Sequence, residues 1–113
     1  MATITLNIYS ATDKKQIEKT YTAEGYDLMM GTLEDFVSII DIDKLKDNAE
    51  AAKMIAQAYG QLKPLIRDVF GGNPTEEEWR RVKVSDLLET VMQIASAVLE
   101  NLRIINRGNA RRA

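Results

Sequence analysis

Residues 3–9 alternate, with Ile4, Leu6 and Ile8 on one face and Thr3, Thr5, Asn7 and Tyr9 on the other. That period of two marks a half-buried strand. Ser10-Ala11-Thr12-Asp13-Lys14-Lys15 then supplies turn residues and charge. A second alternation follows, with Ile17, Lys19 and Tyr21 opposite Glu18, Thr20 and Thr22. The pattern predicts a β-hairpin. Two strands alone are marginal in water, so the Ile4–Leu6–Ile8 face requires a helical partner.

From about Asp27 the period changes. Met29, Leu33, Phe36 and Ile40 recur at steps of four, three and four, one stripe of an amphipathic helix. Gly31 weakens its start by up to ~1 kcal/mol relative to alanine. Asp41-Ile42-Asp43 reads as a break and a new cap. A longer helix follows from about Asn48 to Phe70, with Ile55, Tyr59, Leu62, Ile66 and Val69 on its inner face and Asp47 or Asn48 as its cap. Pro64 stands inside that stripe. It removes one main-chain hydrogen bond and presses on the carbonyl four residues back. That carbonyl belongs to Gly60, so a kinked helix is expected rather than two separate ones.

Gly71-Gly72-Asn73-Pro74 terminates this helix. Thr75-Glu76-Glu77-Glu78 is a capping box, and Pro74 and Trp79 occupy the positions of a hydrophobic staple. Ser85 or Asp86 is expected to cap a final helix with Leu87, Val91, Ile94, Val98, Leu102 and Ile105 on its inner face. Asn106-Arg107-Gly108 is expected to end it, at about twenty residues and roughly 30 Å. The predicted fold class is α+β: an N-terminal β-hairpin packed on three or four α-helices, mostly helical. Residues 1–106 form one domain in this reading, and residues 107–113 a basic flexible tail.

Composition narrows the chemistry. The 113-residue chain has no cysteine and no histidine, which excludes disulfides, thiolate metal sites, cysteine nucleophiles and imidazole catalysis. Fifteen Lys and Arg against seventeen Asp and Glu leave a formal charge of -2, too near neutral to steer the whole molecule onto nucleic acid or an anionic membrane. The opening residues lack a secretory signal, and no apolar run approaches the ~20 residues that span a bilayer. A cytoplasmic protein is expected.

The candidate constellations mostly resolve into structure. Asp41 to Asp47 invites a calcium-loop reading, but Leu45 stands at the third ligand position, Lys46 at the glycine position and Ala52 at the closing glutamate position. Helix capping remains. Glu76, Glu77 and Glu78 point about 100° apart on a helix and do not converge on one ion, so capping plus solvation is expected of them. Gly71-Gly72 lacks the lysine and hydroxyl of a phosphate loop. No cofactor, metal site or catalytic residue is expected, and a hydrolase using Asp41 and Asp43 is the least supported reading. Trp79, beside Arg80 and Arg81, reads as a staple or core residue. Arg103, Arg107, Arg111 and Arg112 form either a nucleic-acid patch or cations at a helix C-terminus followed by a soluble tail. The absence of interleaved aromatics favours the second. Leu88, Met92, Leu99 and Ile104 add a second apolar row to the last helix, wider than one neighbouring layer requires. Either a partner covers it or the helix is central to the core.

The segment Ala58-Tyr59-Gly60-Gln61-Leu62-Lys63-Pro64-Leu65-Ile66-Arg67-Asp68-Val69-Phe70, followed by Thr75-Glu76-Glu77-Glu78-Trp79-Arg80-Arg81-Val82-Lys83-Val84-Ser85-Asp86-Leu87, resembles the tail assembly chaperones of long-tailed phages and prophages of Gram-positive bacteria. The likeness extends over roughly residues 16 to 105. It implies a non-enzymatic protein that binds the helix-rich tape measure protein, keeps it soluble while the tail tube polymerises, and is absent from the mature virion. It also implies a longer frameshifted product, with the short form stopping near the arginine-rich end. The expected partners are the tape measure protein and the tail tube protein, with self-association; neither membrane nor nucleic acid is expected. The apolar surface near the end of the last helix (Leu99, Leu102, Ile104 and Ile105) is the candidate partner-binding site. The alternative function is a small regulatory nucleic-acid-binding protein using the C-terminal arginines.

Overall fold

The computed structural model describes the backbone of residues 3–112 and the side chains of residues 3–103. Strand β1 (Thr3–Tyr9) pairs antiparallel with β2 (Ile17–Glu24). Four helices follow: α1 (Met30–Ile39), α2 (Asn48–Val69), the single turn α3 (Glu76–Trp79) and α4 (Val84–Arg112). Short 3-10 turns at Gly25–Asp27 and Ile42–Lys46 link β2 to α1 and α1 to α2. The architecture is the expected α+β hairpin with helices.

Ile4, Leu6 and Ile8 are fully buried, and their cross-strand partners are Ala23, Tyr21 and Lys19. An irregularity between Ile8 and Tyr9 sets Tyr9 opposite Ile17. Ile17 is left exposed there instead of continuing the inner row. The edge of β1 that faces away from β2 is occupied by side chains. The Thr5 amide donates to Gln93 Oε1 at 2.8 Å, and Thr90 Oγ1 donates to the Thr5 carbonyl at 2.7 Å. At Tyr9 the amide donates to the Arg81 carbonyl at 3.0 Å, and Arg81 Nη1 donates to the Tyr9 carbonyl at 2.8 Å. Four edge groups of β1 are thus satisfied by α4 and the loop before it. Among the described residues no strand lies beyond β2, and Ile17 to Thr20 are exposed.

Helix α1 buries Leu33 and Phe36 and closes on buried Ile40, while Met29 and Met30 are exposed. The expected stripe therefore loses its first member, because the helix starts at Met30 with Met29 still extended. Asp41 caps the 3-10 turn after α1 by accepting from the Asp43 amide at 3.1 Å. Asp47 caps α2 by accepting from the Ala49 and Glu50 amides. Helix α2 is continuous through Pro64. Gly60 and Pro64 are both exposed, so the carbonyl left without a donor lies on the watered side. The Thr32 hydroxyl bonds Asp68 and ties α1 to α2.

The end of α2 shows why two glycines stand together. The Gly72 amide donates to the Arg67 carbonyl at 2.7 Å and the Gly71 amide to the Asp68 carbonyl at 3.2 Å, the two reverse bonds of a Schellman cap. Gly71 and Gly72 have φ of 68° and 97°, where a side chain is strained. The chain then passes Pro74, which is buried, into the Thr75–Glu78 capping box.

Two expectations about α4 change. Its first hydrogen bond runs from the Leu87 amide to the Lys83 carbonyl at 3.0 Å, so the helix begins at Val84, and Ser85 and Asp86 lie inside its first turn rather than capping it. It also continues to Arg112. A glycine inside a helix costs only ~1 kcal/mol, so Gly108 does not stop it. Val91, Ile94 and Val98 are buried and Leu87 and Leu102 half-buried; they join Phe36, Leu62, Ile66, Ile4 and Leu6 in one core. Ile105 and the side chains of the expected tail fall outside the described residues.

Replacing Thr90 with valine keeps the shape and removes the donor to the Thr5 carbonyl. Thr90→Val is expected to lower stability by about 1–2 kcal/mol, read as a lower urea midpoint at unchanged slope.

Candidate functional site: an apolar groove beside a basic notch

Helix α3 is only one turn long, and Glu78 holds it in place. Its carboxylate accepts from the Tyr21 hydroxyl at 2.8 and 3.0 Å and from the Thr75 amide at 3.0 Å, and it pairs with Lys19 Nζ at 2.9 Å. The bond from the Thr75 amide, with Lys19 and Tyr21 behind it, outweighs the burial that opposes ionisation and lowers the Glu78 pKa to about 2. Tyr21 is correspondingly harder to ionise beside that carboxylate. Glu78 is buried, which corrects the expectation that all three glutamates are solvated. Glu76 pairs with Lys63 at 2.5 Å, and its pKa is lowered mainly by that bond. Glu77 and Glu18 both hold Arg81, at 2.9 and 2.8 Å.

With α3 fixed, Trp79 is fixed as well. It is buried, and its ring stacks on Tyr59 of α2 at 6.1 Å between centroids and 13° between planes. Its indole N–H donates to the Tyr59 hydroxyl. Tyr59, expected on the inner face of α2, is instead 37% exposed. It stands at the wall of a hollow of about 310 Å³ between α2, α3 and the first turns of α4. Ala52 and Ala56 form the α2 wall, Leu88 and Val84 the α4 wall, and Ile55 and Leu87 the floor. Residues 84, 88, 92 and 99 fall within roughly a quarter turn of one another at about 100° per residue. Along that row Val84 is 81%, Met92 39% and Leu99 42% exposed.

Val82 and Lys83 also line a second hollow, of about 380 Å³, shared with Tyr9, Lys14, Arg80 and Arg81. Lys83 Nζ lies 4.0 Å from the centre of the Tyr9 ring, a cation–π contact. The Asp86 carboxylate raises the pKa of Tyr9. Arg81 is neutralised by its two glutamates, whereas Lys14, Arg80 and Lys83 have no ion-pair partner among the described residues. An apolar groove therefore runs into a basic notch.

Of the candidate residues near the end of α4, only Leu99 and Leu102 have described side chains. Leu99 is exposed beside Val37, over a shallow hollow at the end of α1. Leu102 is half-buried and packs against the core. Ile104 and Ile105 lie outside the described side chains, as do Arg107, Arg111 and Arg112; Arg103 is exposed. Of the second apolar row, Leu88 is half-buried and Met92 and Leu99 are open. Sequence reasoning missed Val84, Ala52, Ala56 and the cations of the notch. The spacing 84, 88, 92 was available as a signal. The hollow itself depends on where α3 sits.

No family model, curated protein or solved structure matches this chain. Among the described residues, no helix is long and apolar enough to cross a membrane.

Because the Glu78 pKa falls from 4.5 to about 2 on folding, its stabilisation is fully present above pH 4.5 and is lost as pH falls through about 2. Urea midpoints measured between pH 5 and pH 2 are expected to drop more for the native chain than for Glu78→Gln. At neutral pH that variant is expected to be weaker by about 1–3 kcal/mol.

Proposed function

We propose that this protein is a non-enzymatic tail assembly chaperone. In this reading it binds a phage tape measure protein in the host cytoplasm and keeps it soluble during tail assembly, with the tail tube protein as a second partner. Two things support the reading. One is the resemblance carried by Ala58–Phe70 and Thr75–Leu87. The other, which carries it, is the row of apolar side chains left open along α4: Val84, Met92 and Leu99 are all more than a third exposed. Apolar side chains aligned along one open helix flank suit an interaction surface, and a chaperone for a helix-rich client needs such a surface without any reacting group.

The test is co-expression with the tape measure protein, reading the soluble fraction of the client. Met92→Glu and Leu99→Glu are expected to reduce it severalfold while the variants keep the native melting profile, since both positions are exposed. Leu102→Ala, Ile104→Ala and Ile105→Ala examine the rest of the candidate surface. Unchanged client solubility across the whole set rejects the reading. A complex with duplex DNA or RNA at low salt, weakening steeply as salt is added, would replace it with nucleic-acid binding through Arg103, Arg107, Arg111 and Arg112.

A further inference from the structure

We infer that the groove between α2 and α4 seats one amphipathic helix of a partner protein, whose apolar face enters the groove and whose carboxylate-bearing end lies in the basic notch. This rests on the proposed function only for the identity of the partner; the occupant's chemistry follows from the groove.

Its dimensions fit a helix. The α2 wall, from Ala52 to Tyr59, spans about 10 Å along its axis, roughly two turns, and the α4 wall, from Val84 to Leu88, spans about 6 Å, roughly one turn. The α2 wall presents alanine methyls at Ala52 and Ala56, and small side chains at a contact allow two helix axes to approach closely. A segment adding as a β-strand would need an open strand edge beside the groove. The β1 edge beside the notch is already closed at Thr5 and Tyr9 by Thr90, Gln93 and Arg81.

Charge sets the polarity of the occupant. Lys83 belongs to both hollows, so the apolar contact and the cationic one are continuous. Lys14, Arg80 and Lys83 are exposed. Glu18 and Glu77 are committed to Arg81, and Asp86 and Glu89 are the carboxylates near Tyr9. The α4 N-terminus at Val84 adds the positive end of its dipole. Carboxylates at one end of the incoming helix complement all of these, and lysines there oppose them.

Trp79 is the only tryptophan in the chain and lines the groove, so its emission reports occupancy. Three stapled, tryptophan-free helical peptides share one apolar face: one carries glutamates in its first turn, one in its last turn, and one carries lysines at both ends. One glutamate peptide is expected to shift Trp79 emission and to bind at least tenfold tighter than the lysine peptide in low salt, the advantage shrinking as salt rises. The double variant Arg80→Glu, Lys83→Glu is expected to reverse the preference. Val84→Glu, at a highly exposed position, is expected to abolish binding with its helical circular dichroism unchanged. Failure of every peptide to perturb Trp79, or equal affinity for the three, overturns the inference. A concentration-dependent dimer in sedimentation that Val84→Glu dissolves would overturn it in favour of a second copy of this chain. Peptide binding with an insoluble tape measure protein would refute the chaperone reading and leave the groove standing.

Discussion

A single strand edge governs the arrangement of this molecule. A hairpin of two strands has too little surface of its own to be stable, and the outer main chain of β1 would be costly to bury unpaired. Helix α4 answers both needs, covering Ile4 and Leu6 with Val91, Ile94 and Val98 and bonding Thr5 through Thr90 and Gln93. With one flank of α4 against the strand and the adjoining flank in the core, the third flank is only partly covered by the described residues. That is the flank carrying Val84, Met92 and Leu99. The openness of the groove is thus a consequence of how the hairpin is held.

Much of the fold was legible because local rules decided it. The alternation of residues 3–9, the Asp47 cap, the capping box and the Gly71-Gly72 terminator all rest on interactions within a few residues, and each stands as expected. The errors share a different cause. Met29 and Ile17 fit the apolar period, yet a helix start and a strand irregularity turn them outward. Tyr59 fits the inner stripe of α2 but is drawn to the wall of the groove by Trp79, twenty positions away. Three adjacent glutamates looked alike and meet three environments: Glu76 finds Lys63, Glu77 finds Arg81, and Glu78 is enclosed by Tyr21 and Lys19. Only the Glu77–Arg81 pair, four residues apart, is legible from spacing; the partners of Glu76 and Glu78 come from α2 and β2, which no periodicity encodes.

The candidate surface shows the same division. Half of the groove is the i, i+4 row on α4, readable from spacing. The other half is a pair of alanines on α2, residues that carry no signal until a second helix is placed opposite them. Its depth depends on α3, a single turn held by one buried carboxylate. Apolar contact of this kind supplies adhesion with little discrimination, whereas charges at its rim select orientation and partner. The two kinds of surface meet at Lys83.

Among the described residues no strand pairs with the outer margin of β2, and its chemistry matters when copies accumulate. Glu18, Lys19, Thr20 and Glu24 punctuate that strand with charge and hydroxyl, the composition by which natural sheets resist edge-to-edge growth. The charges on β2 thus oppose strand-to-strand growth, so apolar exposure on α4 is not joined to an unguarded strand edge.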